Sequence, residues 1–414
     1  MSQDFLTVQA AKAHIHDQLS VIEGARTVAI REALGQVLAH DVRSPINVPA
    51  HDNSAMDGYA FRGSDIKADQ PTRLHCVGTA FAGKMYEGQI QAGQCVRIMT
   101  GAMMPPGCDT VVIQENAHVE GEQVAFEPKA VAAGDNRRLA GEDLTAGKTA
   151  LPAGKVLRPA DLGLLASLGV AEVVVRRKLR VAFFSTGDEL RSLGQPLDEG
   201  CVYDSNRYTI YGMLQRLGFV DVIDMGVVRD SKEALEEAML QAMNQADAIV
   251  TSGGVSVGEA DYTKEVMEKL GAVNFWKIAM RPGRPMAFGH IHHPKQASSA
   301  YLFGLPGNPV AVMVTFYAFV RDALFKLAGA NSMHVPLVCA KLAQDVRKRP
   351  GRTEYQRARL EMTEGTVTAH LTGAQGSGIL RSMSESDCLL VLDHDQGPLK
   401  AGEVVMALPF EGLI

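Results

Sequence analysis

Residues 246–263, ADAIVTSGGVSVGEADYT, set an apolar run (Ala248, Ile249, Val250) ahead of Ser252, Gly253 and Gly254. Gly258, Glu259 and Asp261 follow, and then a helical pattern through Tyr262, Val266, Met267 and Leu270. Glycines let backbone N–H groups approach a phosphate, and the start of a helix adds partial positive charge. Carboxylates cannot face a phosphate unaided, so the stretch implies a bridging cation, and Mg²⁺ suits carboxylate plus phosphate. The same residues also read as an ordinary βα turn whose helix is capped by Asp261. The glycine spacing is neither that of a dinucleotide-binding fingerprint nor that of a Walker loop.

Other residue groups carry chemistry of the same kind. Arg281-Pro282-Gly283-Arg284 puts two arginines on a proline-stiffened turn, and guanidinium forks suit a planar grip on an oxyanion. Gly304-Leu305-Pro306-Gly307-Asn308-Pro309 ends a strand and opens a long helix, with Pro309 in the first turn, where its missing N–H costs nothing. The polar loop of residues 52–60, DNSAMDGYA, enters an apolar strand, though Asp52 and Asn53 could equally be turn formers. Thr100 stands at a strand end, and residues 136–143 pair two arginines with two acids around Gly141. Arg357 and the glycine loop 373–378 are the candidate points near the C-terminus. His290, His292 and His293 invite a metal reading, but they sit on a polar hairpin tip without a carboxylate or cysteine nearby.

These residues need elements to hold them. From Leu179 the chain alternates buried strands with helical patterns over about 100 residues, which predicts a parallel sheet with helices on both faces. Parallel strands would bring Thr186–Glu189, then Arg229 and Asp230, then Ser252–Asp261 to one sheet edge, where ligands bind. Residues 74–126 read as short strands and Gly/Pro turns, an all-β insertion, and residues 335–414 as a second small all-β domain. Helices are expected over 4–22 and 30–38. His14 and His16 are read as surface or core-edge residues.

Composition sets the outer limits. The 414 residues are 46% hydrophobic and 21% charged, with a net charge of −6 that gives no support to nucleic-acid or anionic-membrane binding. The six cysteines are scattered without a CxxC pair, as expected for reduced thiols in a cytoplasmic protein. No signal peptide and no apolar run of about 20 residues is found, so no membrane partner is expected.

Taken together, DNSAMDGYA (52–60), RIMTGA (97–102), RRLAGED (137–143), FSTGDEL (184–190), SGGVSVGEADY (252–262) and GLPGNP (304–309) resemble the molybdopterin molybdenumtransferase family, called MoeA in bacteria and the gephyrin E domain in animals. The resemblance implies a multidomain α/β plus β protein. Its domains would be a helical/β domain (1–44 and 145–178), an inserted β domain (45–144), an α/β molybdopterin-binding domain (179–330) and a C-terminal β-barrel-like domain (331–414). It implies a homodimer with each cleft completed across subunits, and a molybdopterin adenylyltransferase as upstream supplier. The implied reaction consumes adenylyl-molybdopterin and molybdate and yields molybdenum cofactor and AMP with Mg²⁺. Carried over by motif, Asp57, Asp143, Glu189, Asp230 and Asp261 are catalytic, with Glu189, Asp230 and Asp261 also the Mg²⁺ ligands. Thr100, Ser252, Gly253, Gly254, Ser256, Lys277, Arg281, Pro306 and Pro309 would bind substrate and phosphate. Arg284, Arg357 and Ser377 would bind molybdate. Two departures stand out: arginines at 281 and 284 where KPGKP is usual, and Ala311 where a serine is frequent. Two other functions fit the same fold, an adenylyltransferase on the α/β domain and a non-catalytic dimeric scaffold. The retained acids argue against the scaffold, and the extra domains argue against the adenylyltransferase.

Overall fold

The structure is a computed structural model describing residues 5–253, 262–331 and 335–410. It divides into two compact units. One comprises residues 1–40, 153–162 and 172–414, and the other residues 41–152 and 163–171.

The first unit is built on a six-stranded sheet. Its elements run β1 (Leu179–Thr186), α1 (Ser205–Gln215), β2 (Val220–Val228), α2 (Lys232–Met243), β3 (Ala248–Ser252), α3 (Tyr262–Leu270), β4 (Gly271–Lys277), β5 (Pro285–His292) and β6 (Ser299–Leu305). The strand order is β2-β1-β3-β6-β5-β4. β2, β1, β3 and β6 are parallel, whereas β5 runs antiparallel to both its neighbours. The sheet is therefore mixed at one edge rather than parallel throughout. The link from β5 to β6, closed by His293 N donating to Ser298 O at 2.9 Å, is a hairpin too short for a crossover.

β1 and β3 are buried on both faces, as central strands covered by helices must be. The two-residue period of a strand decides which core each side chain joins. Val181, Phe183 and Val250 enter one cluster with Phe288, Phe303 and Val312, while Ala182, Phe184 and Ile249 enter the other with Leu235, Met239 and Val266. After β6, α4 (Pro309–Thr315) runs through the π-helical turn Phe316–Val320 into Arg321–Leu327. The N-terminal helix Val8–Gln18 buries Val8, Ala11 and Ile15 in the first cluster.

Residues 30–38 do not form the expected helix. A 3₁₀ turn, Ile30–Glu32, gives way to extended chain in which Val37 and Leu38 bridge Val156 and Val175. The apolar spacing there mimics a helix, but Gly35 sits at φ +73°, and a Cβ on it would lie 3.2 Å from the Cα of Gly218.

The C-terminal part of this unit is a barrel of β7 (Val338–Leu342), β8 (Thr353–Thr363), β9 (Thr366–Leu371), β10 (Cys388–Leu392) and β11 (Val404–Pro409). The pairings β8–β9, β9–β7, β7–β11, β11–β10 and β10–β8 close the ring, so no edge among these five stays open. The two-residue strand Met280–Arg281 adds in parallel to Thr353 and Glu354 at the start of β8.

The second unit holds a six-stranded sheet in the order Thr110–Ile113, Gly58–Phe61, Gln94–Ile98, Thr72–Ala80, Gln123–Phe126, His118–Glu120. Among the described residues, no helix is long and apolar enough to cross a membrane.

Candidate functional site

The carboxyl ends of the parallel strands open on a cavity of about 730 Å³ within the first unit. Its floor is backbone. Ser252 and Gly253 end β3, and Pro306, Gly307 and Asn308 join β6 to α4. Gly253 lies at φ +93°, and a Cβ there would stand 2.4 Å from the carbonyl oxygen of Thr186, so only glycine fits. Asn206 fastens the floor together. Its Nδ2 donates to Ser252 Oγ at 2.8 Å and to Gly307 O at 2.6 Å. Asp204 caps α1 at Arg207 N and accepts from Ser185 Oγ at 3.1 Å, which fixes the helix start against β1.

One wall is acidic. Glu189 follows the β1 turn and Asp230 follows β2. Asp230 N donates to Asp188 Oδ1 at 3.3 Å. Partial burial, then the charges of Asp188 and Glu189, hold the Asp230 carboxyl above its ordinary pKa.

Another part of the lining is basic. The turn Arg281–Arg284 lies across the cavity mouth, with Gly283 at φ +96° and too close to Thr315 for any Cβ: the contact would be 2.5 Å. The Arg284 guanidinium sits 5.1 Å from the ring centre of Phe5. Arg352 joins them from the turn ahead of β8, braced by two 2.8 Å contacts from Nε and Nη2 to Oε1 of the buried Glu354. The loop Gln375-Gly376-Ser377 completes the wall, with Ser377 O accepting from Val310 N of α4 at 3.0 Å.

Arg357 is not on that wall. It is 1% exposed and lies behind the loop, where Nη2 donates to Ala374 O at 2.7 Å and Gly376 O at 3.1 Å. Its backbone N–H donates to Gln375 Oε1 at 2.8 Å. Burial, with Arg281 nearby, lowers its pKa. The guanidinium shapes the loop that carries Ser377.

Of the residues expected from the sequence, Glu189, Asp230, Ser252, Gly253, Arg281, Arg284, Pro306 and Ser377 meet on this one cavity. Lys277 ends β4 and Pro309 opens α4, both off its wall. Gly254, Ser256 and Asp261 lie outside the described residues. Among the described residues no three metal-ligating side chains converge, and the expected Glu189–Asp230–Asp261 set includes a residue not described. Ala311 lines the cavity, so a serine there would face it. Sequence reasoning missed Asn206, Asn308 and Arg352 as wall residues. A signal existed for Arg352: residues 349–352 repeat the tetrapeptide Arg-Pro-Gly-Arg of residues 281–284.

Asp57, Thr100 and Asp143 belong to the second unit, where three sequence-distant motifs meet on one ledge. Ser54 N donates to Ala102 O at 3.0 Å, and Arg137 and Arg138 pair with Ser54 and Asn53. Asp52 Oδ1 accepts from Ala140 N at 2.8 Å, and Asp143 N donates to Val48 O at 3.1 Å. Asp57 Oδ1 accepts from both Thr100 N and Thr100 Oγ1 at 2.7 Å, and these bonds lower its pKa. Asp57, Thr100 and Asp143 are all exposed.

Three family profiles match the chain: MoeA N-terminal region (domain I and II) over residues 6–169, a probable molybdopterin binding domain over 182–326, and MoeA C-terminal region (domain IV) over 339–410. Over 411 residues the chain is 41% identical to a protein named molybdopterin molybdenumtransferase from Haemophilus influenzae, covering 99% of this chain and all of that one. A protein of the same name from Nostoc sp. is 37% identical, with 91% and 86% covered. Among solved structures, a molybdopterin biosynthesis moeA protein from Pyrococcus horikoshii superposes with a TM-score of 0.83 at 28% identity, over 98% of this chain and all of that one.

Proposed function

Since the chain belongs to the molybdopterin molybdenumtransferase family, we propose that its α/β cavity inserts molybdate into adenylyl-molybdopterin, releasing AMP and molybdenum cofactor. The observation that carries this reading is one cavity lined both by Arg281, Arg284 and Arg352 and by Glu189 and Asp230. A tetrahedral dianion needs positive charge and donors on one side, and guanidinium supplies both. The floor of Gly253, Gly307 and Asn206 suits the phosphates, since backbone there can approach a ligand closely.

The acidic corner fits a hard divalent cation. Partial burial and then the repulsion of Asp188 and Glu189 already raise the Asp230 pKa, and a phosphate beside it would add to that repulsion. Glu189 and Asp230 would hold Mg²⁺, which when bound neutralises charge between carboxylate and phosphate oxygens. The chain's own residues do the rest: the floor orients the phosphates, the arginines hold molybdate beside them, and buried Arg357 keeps Ser377 in position. Asp57, Thr100 and Asp143 would be supplied by the second copy of a homodimer. Their shared exposed ledge supports that reading. The upstream supplier would be a molybdopterin adenylyltransferase, and the setting cytoplasmic.

The test is to mix the purified protein with adenylyl-molybdopterin, Mg²⁺ and molybdate and to quantify AMP. AMP should form only with all three present. Formation of adenylyl-molybdopterin from ATP and molybdopterin would point instead to an adenylyltransferase.

A further inference from the structure

Lys348 precedes β8 and is 3% exposed. A lysine so deep ordinarily meets a carboxylate. Here, among the described residues, the ammonium reaches four backbone carbonyls: Arg349 O at 3.1 Å, Arg352 O at 2.8 Å, His394 O at 3.2 Å and Gln396 O at 2.9 Å. Three N–H bonds are shared among four oxygens. A ring of carbonyls around one compact charge is how proteins replace the hydration shell of a monovalent cation. The tethered ammonium fills such a cage.

The cage joins two turns. Arg349 and Arg352 belong to the turn ahead of β8, and His394 and Gln396 to the one after β10. The same turns are laced by Gly351 N and Arg352 N, which donate to His394 O at 2.9 Å and 3.2 Å. The first turn ends at Arg352, which lines the cavity. Glu354 holds the tip of that side chain, and Lys348 holds its backbone carbonyl.

We infer that Lys348 is a positioning residue, its caged ammonium fixing the 349–352 turn so that Arg352 is aimed into the oxyanion cavity. The inference rests on the oxyanion reading above and goes beyond it by tying anion affinity to a charge that never touches the anion.

Equilibrium molybdate binding to the full chain tests it, in a double-mutant cycle of Lys348→Met and Arg352→Ala. Lys348→Met alone should weaken binding by about tenfold or more, and in the Arg352→Ala background by no more than about twofold, because the two act through one group. Lys348→Ala removes a fragment the size of propylammonium. Added propylammonium should return binding to within about threefold of the parent, and 1-propanol, which lacks the charge, should not. That arm decides the matter if Lys348→Met does not fold. Parental affinity in Lys348→Met would overturn the inference. So would an undiminished loss in the Arg352→Ala background, or equal rescue by 1-propanol. A parent chain that itself fails to bind molybdate would strike the oxyanion reading, and the inference with it.

Discussion

Arg352 and Arg357 flank the start of one strand, and only Arg352 reaches the cavity, while Arg357 spends its guanidinium on the carbonyls of Ala374 and Gly376. Their substitutions should therefore differ in kind. Arg352→Ala removes charge-assisted donors, each worth about 1.5–3 kcal/mol, and should weaken molybdate binding by at least about tenfold, with some loss of stability because buried Glu354 loses its guanidinium partner. Arg357→Ala should lower thermal stability as well, because the carbonyls of Ala374 and Gly376 lose their donor and the loop its anchor. Ala311→Ser adds one neutral donor facing the cavity and should strengthen binding by at most about tenfold. Isothermal titration with molybdate and a melting curve on each variant check all three. Asp230 gives a pH signature. Its folded pKa lies above the unfolded one, so the folded state binds that proton more tightly. Stability from this group is present below the unfolded pKa and is lost as pH rises through the folded one. Asp230→Asn should thus melt higher than the parent at pH 7, with the gap closing in the acid range, and should release no AMP in the presence of Mg²⁺. A variant that melts lower at pH 7 would contradict the repulsive corner. The choice of arginine was not legible in the sequence. The first six residues of β8 are all buried, so alternation along the strand gives no face to read. The repeated Arg-Pro-Gly-Arg turn was the better guide.

At the level of elements, the strand ends and the parallel run of β1, β2 and β3 were legible, and the mixed edge of the sheet was not spelled out. Apolar runs closed by glycine predict where β1 and β3 stop, and those stops carry the floor of the cavity. The antiparallel pairing of β5 with β6 is marked by the polar hairpin tip between them and not by the composition of either strand. The failed helix at 30–38 has the same lesson, since Gly35 serves a close approach to Gly218 that no local pattern announces. The floor's dependence on backbone shape makes Gly253 its most sensitive position. Gly253→Ala would meet the Thr186 carbonyl and force a side chain into left-handed backbone. It should cost about 1–3 kcal/mol in chemical denaturation and abolish AMP release. Parental turnover in that variant would show that the strand ends need not approach each other for the chemistry.

For the whole molecule, the family motifs divide between two units, so each unit holds an incomplete set of the expected catalytic residues. If a second copy supplies the Asp57 ledge, two inactive variants should complement each other. Asp57→Asn and Glu189→Gln, mixed and allowed to exchange, should recover about a quarter of parental AMP release, since half the dimers would carry one intact cleft. No recovery after verified exchange would place all the residues of a cleft in one chain. Whatever the assembly, one oxyanion would be held among Arg281, Arg284 and Arg352 of the first unit. Anomalous diffraction at the molybdenum edge, from crystals grown with molybdate, tests it most directly. A peak is expected within hydrogen-bonding reach of Arg281, Arg284 and Arg352, in the cavity that Glu189 and Asp230 also line. A peak elsewhere on the molecule, with this cavity empty at saturating molybdate, would contradict it.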